Sequence, residues 1–194
     1  MKNICVFTGS NRGTKEAYID IARNLGAEIA RRGIGLVYGA SRVGLMGVVA
    51  DAALSAGARV VGVIPEALVR KELVHEGLTD TQIVKSMHER KARFAELSDG
   101  FIAMPGGLGT LEEYFEVLTW AQLGFHAKPV GLLNSSGYFD ELLRFLDKAV
   151  EHGFVHGRHR KMMLVEDDPV RLLDAMQSYV PAAVSKWIDR ADEL

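Results

Sequence analysis

Ile4-Cys5-Val6-Phe7-Thr8-Gly9-Ser10-Asn11-Arg12-Gly13 sets a short apolar run against a glycine-bounded turn, and the pattern that follows is helical. Tyr18, Ile21, Ala22, Leu25 and Ile29 recur at spacings of three and four, the stripe of an amphipathic helix. Gly33 and Gly35 close it, and Leu36-Val37-Tyr38 reads as a second strand. The alternation continues along the chain. Further strands are expected at Arg59 to Ile64, Gln82 to Val84, Phe101 to Met104, Pro129 to Leu133 and Met162 to Val165. Helices are expected over Leu45 to Ser55, from Ser86 to about Ser98, from Thr110 to about Leu123, from Tyr138 to about His152, and twice more near the end. Strands separated by helices of this length make βαβ units, whose right-handed crossovers cover both faces of a parallel sheet. The expected fold is therefore α/β, a three-layer Rossmann-like doubly wound parallel sheet in a single domain over 1–194. Its last element would be a C-terminal helix at about 181–192, where Val184, Trp187, Ile188 and Ala191 share one apolar stripe.

Composition narrows the classes. A chain of 194 residues, 48% hydrophobic and 25% charged, can bury a core without staples. One cysteine forms neither an internal disulfide nor a thiolate zinc site. With 23 Lys and Arg against 25 Asp and Glu, nothing marks a dedicated binder of nucleic acid or anionic membrane. The apolar run at Ile4 ends within a few residues, too short for a signal-peptide core, and no stretch approaches the length of a bilayer span. A cytoplasmic location is expected.

In a doubly wound sheet, ligands sit at the edge formed by strand C-termini and helix N-termini. Three glycine-rich turns fall there, Gly9 to Gly13, Gly39 to Gly47 and Gly106 to Gly109. Such turns let backbone amides approach an anion, so a phosphate-bearing ligand is expected. A dinucleotide is disfavoured. Gly9 to Thr14 does not give G-x-G-x-x-G, and Tyr38-Gly39 stands where a ribose-binding acid would end the second strand. Gly44-Leu45-Met46 is no Walker A loop. A mononucleotide or sugar phosphate fits better.

Two charged residues stand near that edge. Arg90 shares a stripe with Phe94 and Leu97, which would turn it inward. Glu113 lies early in the helix that follows the fifth strand, and the two converge if the fourth and fifth strands are neighbours. Each has a plainer reading: Arg90 as a snorkelling surface arginine, and Thr110-Leu111-Glu112-Glu113 as a capping box. His152, His156 and His159 are broken by glycines and share no helix face for a metal, and there is no Gly-x-Ser-x-Gly elbow.

Pro105-Gly106-Gly107-Leu108-Gly109-Thr110-Leu111-Glu112-Glu113 resembles the PGGxGTxxE signature of the Lonely Guy family of nucleoside 5′-monophosphate phosphoribohydrolases, often mislabelled lysine decarboxylases. Met87-His88-Glu89-Arg90-Lys91 resembles the family's second motif, and Gly44-Leu45-Met46-Gly47 its glycine turn; the similarity runs from Ile4 to about Val150. The resemblance implies Arg90 and Glu113 as the catalytic pair. It implies substrate contacts from Glu72, Lys91, Gly107, Leu108, Gly109, Thr110, Leu111, Glu112 and Thr119. Two departures bear on the preferred base or its substituent: Leu108 stands where an aromatic residue is frequent, and Ala40-Ser41-Arg42 replaces a more glycine-rich stretch.

The implied reaction is hydrolysis of the N-glycosidic bond of AMP or an N6-substituted AMP, such as a cytokinin riboside monophosphate, to free base and ribose 5-phosphate. It calls for no metal and no organic cofactor, and the family resemblance implies a homodimer. The alternative is a non-catalytic nucleotide-binding module, which would share the glycine turns and Arg90. A decarboxylase would need a Schiff-base lysine for pyridoxal phosphate, and neither Lys91 nor Lys128 has that setting.

Overall fold

Side chains of the first strand, β1 (Asn3–Phe7), alternate between two cores, as the period of a strand demands. Ile4 and Val6 enter one apolar cluster, and Cys5 and Phe7 enter the other. The computed structural model describes residues 1–69 and 73–181. The remaining strands are β2 (Gly35–Tyr38), β3 (Val60–Pro65), β4 (Asp80–Val84), β5 (Gly100–Ala103), β6 (Val130–Leu133) and β7 (Met163–Glu166). All pair in parallel, in the order β4-β3-β2-β1-β5-β6-β7. Strand order reverses between β1 and β5, which makes the crevice above their C-terminal ends the switch point of the doubly wound sheet.

One face is covered by α1 (Glu16–Arg31), α2 (Gly44–Ser55) and α8 (Pro169–Gln177). The other is covered by α4 (Met87–Leu97), α5 (Leu108–Gln122) and the half-buried stripe of α6 (Asp140–Glu151). Short helices α3 (Glu66–Val69) and α7 (Gly157–Arg160) complete the set among the described residues, with a 3-10 turn at Ser135–Gly137 just before α6. The small residues of α2 serve a close approach to α1 as well as the sheet. A Cβ at Gly26 would lie 2.4 Å from the Val49 carbonyl oxygen, so the two helices meet at backbone distance.

Within the described residues, the strands and helices read from the sequence are present, with boundaries shifted by one or two residues. Pro65 closes β3 as its last paired residue, opposite Val84, rather than stopping it from outside. Of the two helices expected at the end, α8 is one, started by Asp168, whose side chain accepts from the Arg171 N–H, and by Pro169 at its first turn. The other, at about 181–192, falls on residues outside those described, apart from Pro181. One assumption fails. β4 lies at the sheet edge with β3, β2 and β1 between it and β5, so the fourth and fifth strands are not neighbours.

Candidate active site

Arg90 reaches the switch point by a different route. Because β5 must pair with β1, the chain leaving edge strand β4 crosses the sheet as α4, which packs on β3, β2 and β1. The helix begins at Ser86, whose hydroxyl accepts the Glu89 N–H at 3.1 Å, while the Glu89 carboxylate accepts the Lys85 N–H at 2.7 Å. This is a capping box displaced by one residue on its return bond. It places Arg90 one turn in, facing the sheet.

Arg90 is only 6% exposed, which excludes a snorkelling role. Its Nε donates to the Val63 carbonyl and its Nη2 to the Gly39 carbonyl, both at 3.1 Å. The guanidinium carbon stands 5.3 Å from the centre of the Phe94 ring. Gly39 is required for this contact, since a Cβ there would lie 2.2 Å from Nη2. Two neutral carbonyls orient the buried cation and leave its charge uncompensated by them.

Glu113 arrives from the opposite side. α5 starts at Leu108, two residues before the sequence suggested, with Gly107 as N-cap and no capping side chain. Thr110 is therefore already inside the helix, and Glu113 falls in the second turn. The capping-box reading of 110–113 is overturned. Glu113 is half-buried and lines a cavity of ≈ 280 Å³ together with Arg90, Phe94, Gly39, Met46 and the Gly107–Thr110 turn. The β1 C-terminus closes its floor through Phe7, Thr8, Gly9 and Ser10. Beneath, burial pushes the Cys5 thiol up, and the Glu113 charge pushes it further against the opposing pull of Arg90. A second cavity of ≈ 270 Å³, lined by Asn11, Arg12, Tyr18 and Tyr138, shares Gly9, Ser10 and Gly107 at its rim.

The structure thus brings together six of the residues singled out from the sequence: Arg90, Gly107, Leu108, Gly109, Thr110 and Glu113. Leu108 sits on the rim, 87% exposed. The other described ones lie off the cavity. Leu111 packs into the core, and Glu112 and Thr119 are exposed on α5. Lys91 spans α4 to α5, with Nζ 2.6 Å from Glu112 and 3.0 Å from Glu116. Burial lowers its pKa, but these two carboxylates outweigh that and raise it. Glu72 lies outside the described residues. Gly39, Met46 and Ser10 were missed as site residues, although the first two belong to a glycine turn already placed on the binding edge and Ser10 to another.

A doubly wound sheet with a buried arginine and a half-buried carboxylate meeting over an uncapped glycine turn defines an α/β protein with a polar cavity at its switch point. A family profile described as "Possible lysine decarboxylase" matches residues 46–176. The chain is 49% identical over 180 residues to a cytokinin riboside 5′-monophosphate phosphoribohydrolase of Arabidopsis thaliana, covering 93% of this chain and 84% of that protein. It is 49% identical to a probable enzyme of the same name from Oryza sativa subsp. japonica, covering 93% and 85%. The chain belongs to this Lonely Guy family of phosphoribohydrolases. Among solved structures, a molybdenum cofactor carrier protein from Chlamydomonas reinhardtii superposes with a TM-score of 0.69 at 23% identity, covering 91% of this chain and 96% of that one. That likeness concerns the fold alone. The decarboxylase label finds no support in the two lysines nearest the motifs: Lys91 is paired to two carboxylates with its pKa raised, where a Schiff-base lysine needs it lowered, and Lys128 Nζ donates to the Ala95 carbonyl.

Proposed function

We propose that this protein hydrolyses the N-glycosidic bond of purine nucleoside 5′-monophosphates, AMP or an N6-substituted AMP such as a cytokinin riboside monophosphate, releasing free base and ribose 5-phosphate. The observation that carries this reading is the meeting of Arg90 and Glu113 in one cavity beside the uncapped turn at Gly107. The names of the relatives support it. The 5′-phosphate binds at the α5 N-terminus, where free amides and the helix dipole favour an anion. Glu113 stabilises positive charge growing on the ribosyl carbon or orients the attacking water, as carboxylates do in glycoside cleavage. Water adds to that carbon as the C–N bond breaks; the bonding electrons leave with the base, which takes up a proton. Arg90 offsets negative charge on the phosphate or the departing base.

The protein acts as a homodimer in the cytosol. An isologous contact through α4 and α5 would set Lys91, Glu112 and Thr119 beside the partner, and these residues, with Glu72, remain candidate substrate contacts. Among the described residues no helix is long and apolar enough to cross a membrane. Light scattering at micromolar concentration checks the dimer, and a mass near 21.3 kDa rules it out.

Incubation of pure protein with AMP, followed by chromatography, should yield adenine. Glu113→Gln should lower kcat about a thousandfold, roughly 4 kcal/mol, with a melting temperature that hardly moves, because the amide keeps the shape of the side chain and Glu113 lies beyond the first turn of α5 that a cap serves. Intact AMP that is nevertheless bound in calorimetry would favour the binding-module alternative.

A further inference from the structure

We propose that His75 and Asp51 form a latch that positions Arg90; the proposal rests on the catalytic role assigned to Arg90 above. Residues 73–75 lie antiparallel against residues 40–42 of the β2–α2 turn, through an isolated bridge between Ser41 and Val74. The Arg42 N–H donates to the Leu73 carbonyl at 2.8 Å, and the His75 N–H to the Ala40 carbonyl at 2.9 Å. The His75 side chain, 12% exposed, is held at both nitrogens. Nδ1 accepts the Gly77 N–H at 3.0 Å, which leaves the ring proton on Nε2, and Nε2 donates to Asp51 Oδ1 at 2.9 Å. Asp51 stands on α2, so the imidazole ties the strap over the turn to the helix that follows the turn.

What the strap encloses is strained. Ala40 is fully buried with φ of 66°, in the left-handed region that residues bearing a Cβ seldom occupy. Its Cβ packs over Gly62, where an added Cβ would come within 2.7 Å of it and 2.5 Å of Leu78. Such a conformation persists only where the surroundings over-determine it. The peptide just before this torsion carries the Gly39 carbonyl that accepts from Arg90 Nη2. Were Ala40 to relax to a negative φ, that carbonyl would swing away, and Arg90 would lose one of its two orienting acceptors. The latch keeps Ala40 left-handed, and the left-handed Ala40 keeps Arg90 aimed into the cavity.

The test compares His75→Ala, Asp51→Ala, Asp51→Asn, the His75→Ala/Asp51→Ala double variant, and His75→Ala combined with Ala40→Gly, all measured well below their melting temperatures. Opening the latch should lower kcat for AMP about tenfold or more and leave KM within about twofold, since small misplacements of a catalytic group act on turnover. The double latch variant should be no worse than either single, as expected for one unit. Asp51→Asn keeps an acceptor and should stay within about threefold of wild type. Ala40→Gly should recover at least half of the loss on a logarithmic scale, because glycine takes the left-handed conformation without strain. A merely structural histidine would not be rescued in this way. Asp51 is 68% exposed, so Asp51→Ala reports even if His75→Ala fails to fold. The Arg90 Nε–H resonance, followed by NMR, reads the latch independently of turnover and should shift and exchange faster in both latch-opened variants. An unchanged kcat in folded Asp51→Ala, or no rescue by Ala40→Gly, overturns the proposal. If wild-type protein leaves AMP intact, the functional reading fails, and the resonance alone decides the latch: unmoved, it overturns it.

Discussion

Two glycine turns sit side by side on the binding edge, and they differ in how many of their glycines the fold itself demands. Across the β2–α2 turn and the first turn of α2 the protein itself fills the space. A Cβ on Gly39 would strike the Arg90 guanidinium, one on Gly44 would lie 2.2 Å from the Ser10 backbone, and one on Gly47 would lie 2.1 Å from the Arg42 carbonyl oxygen. In the β5–α5 turn Gly106 is enclosed in the same way, a Cβ there lying 2.8 Å from the Gly9 nitrogen, but Gly107 and Gly109 would meet no atom of the described residues within 4 Å. Gly109 lies inside α5, where glycine costs roughly 1 kcal/mol against alanine, and no packing among the described residues requires it. Glycine demanded by neighbouring backbone is architecture; glycine demanded by nothing in the chain marks where something else approaches.

The comparison can be broken first at Gly47. Gly47→Ala forces carbon against backbone that cannot move without unseating the turn, and should destabilise the fold by about 4 kcal/mol, at the upper end for single substitutions. Urea denaturation reads it, and a wild-type midpoint would mean that the turn is not filled as described. The next largest effect concerns the open turn. If it holds the 5′-phosphate, adenosine should be a poorer substrate than AMP by more than about a hundredfold in kcat/KM, roughly 2.7 kcal/mol. Equal values for the two substrates would assign the turn another task.

The sequence made the alternation legible, because β-branched runs and helical stripes are local signals. It did not make the strand order legible, because pairing of β5 with β1 is a long-range event. Arg90 illustrates both halves. Its stripe with Phe94 turned it inward on paper, and it is inward, but its carbonyl partners are 27 and 51 residues away in the chain. The neighbouring-strand assumption reached the correct convergence by the wrong route, since α4 crosses the sheet to bring Arg90 there. Thr110 to Glu113 misled for a local reason. Gly107 and Gly109 are poor helix formers and hid the true start of α5, so a pattern inside the helix looked like its cap. Lys91, next to Arg90 in sequence, points to α5 instead, because adjacent helical residues face about 100° apart.

A finer test of the open turn is Gly109→Ala. Alanine should leave stability unchanged or raise it by up to about 1 kcal/mol, because its Cβ meets nothing and alanine favours the helix. The same Cβ would intrude on a ligand seated against the turn, so KM for AMP should rise about tenfold, equivalent to about 1.4 kcal/mol. Greater stability with unchanged KM would detach Gly109 from the substrate.

The smallest effect separates the two helix starts. α4 is capped by its own chain through Ser86, whereas α5 begins at Gly107 with no side-chain cap. Ser86→Ala should remove the bond from the Glu89 N–H and cost about 1 kcal/mol of stability. Turnover per folded molecule should stay near wild type, since Arg90 is fastened by the Val63 and Gly39 carbonyls rather than by the cap. Gly107→Ser supplies the converse. Its backbone, at φ −96° and ψ −155°, is extended and suits a capping serine, which should add only a few tenths of a kcal/mol. That hydroxyl would occupy an amide otherwise open to the phosphate, so KM should rise while the fold gains. If instead Ser86→Ala slowed turnover and Gly107→Ser left KM alone, the division between a helix start that serves the fold and one that serves the ligand would be reversed.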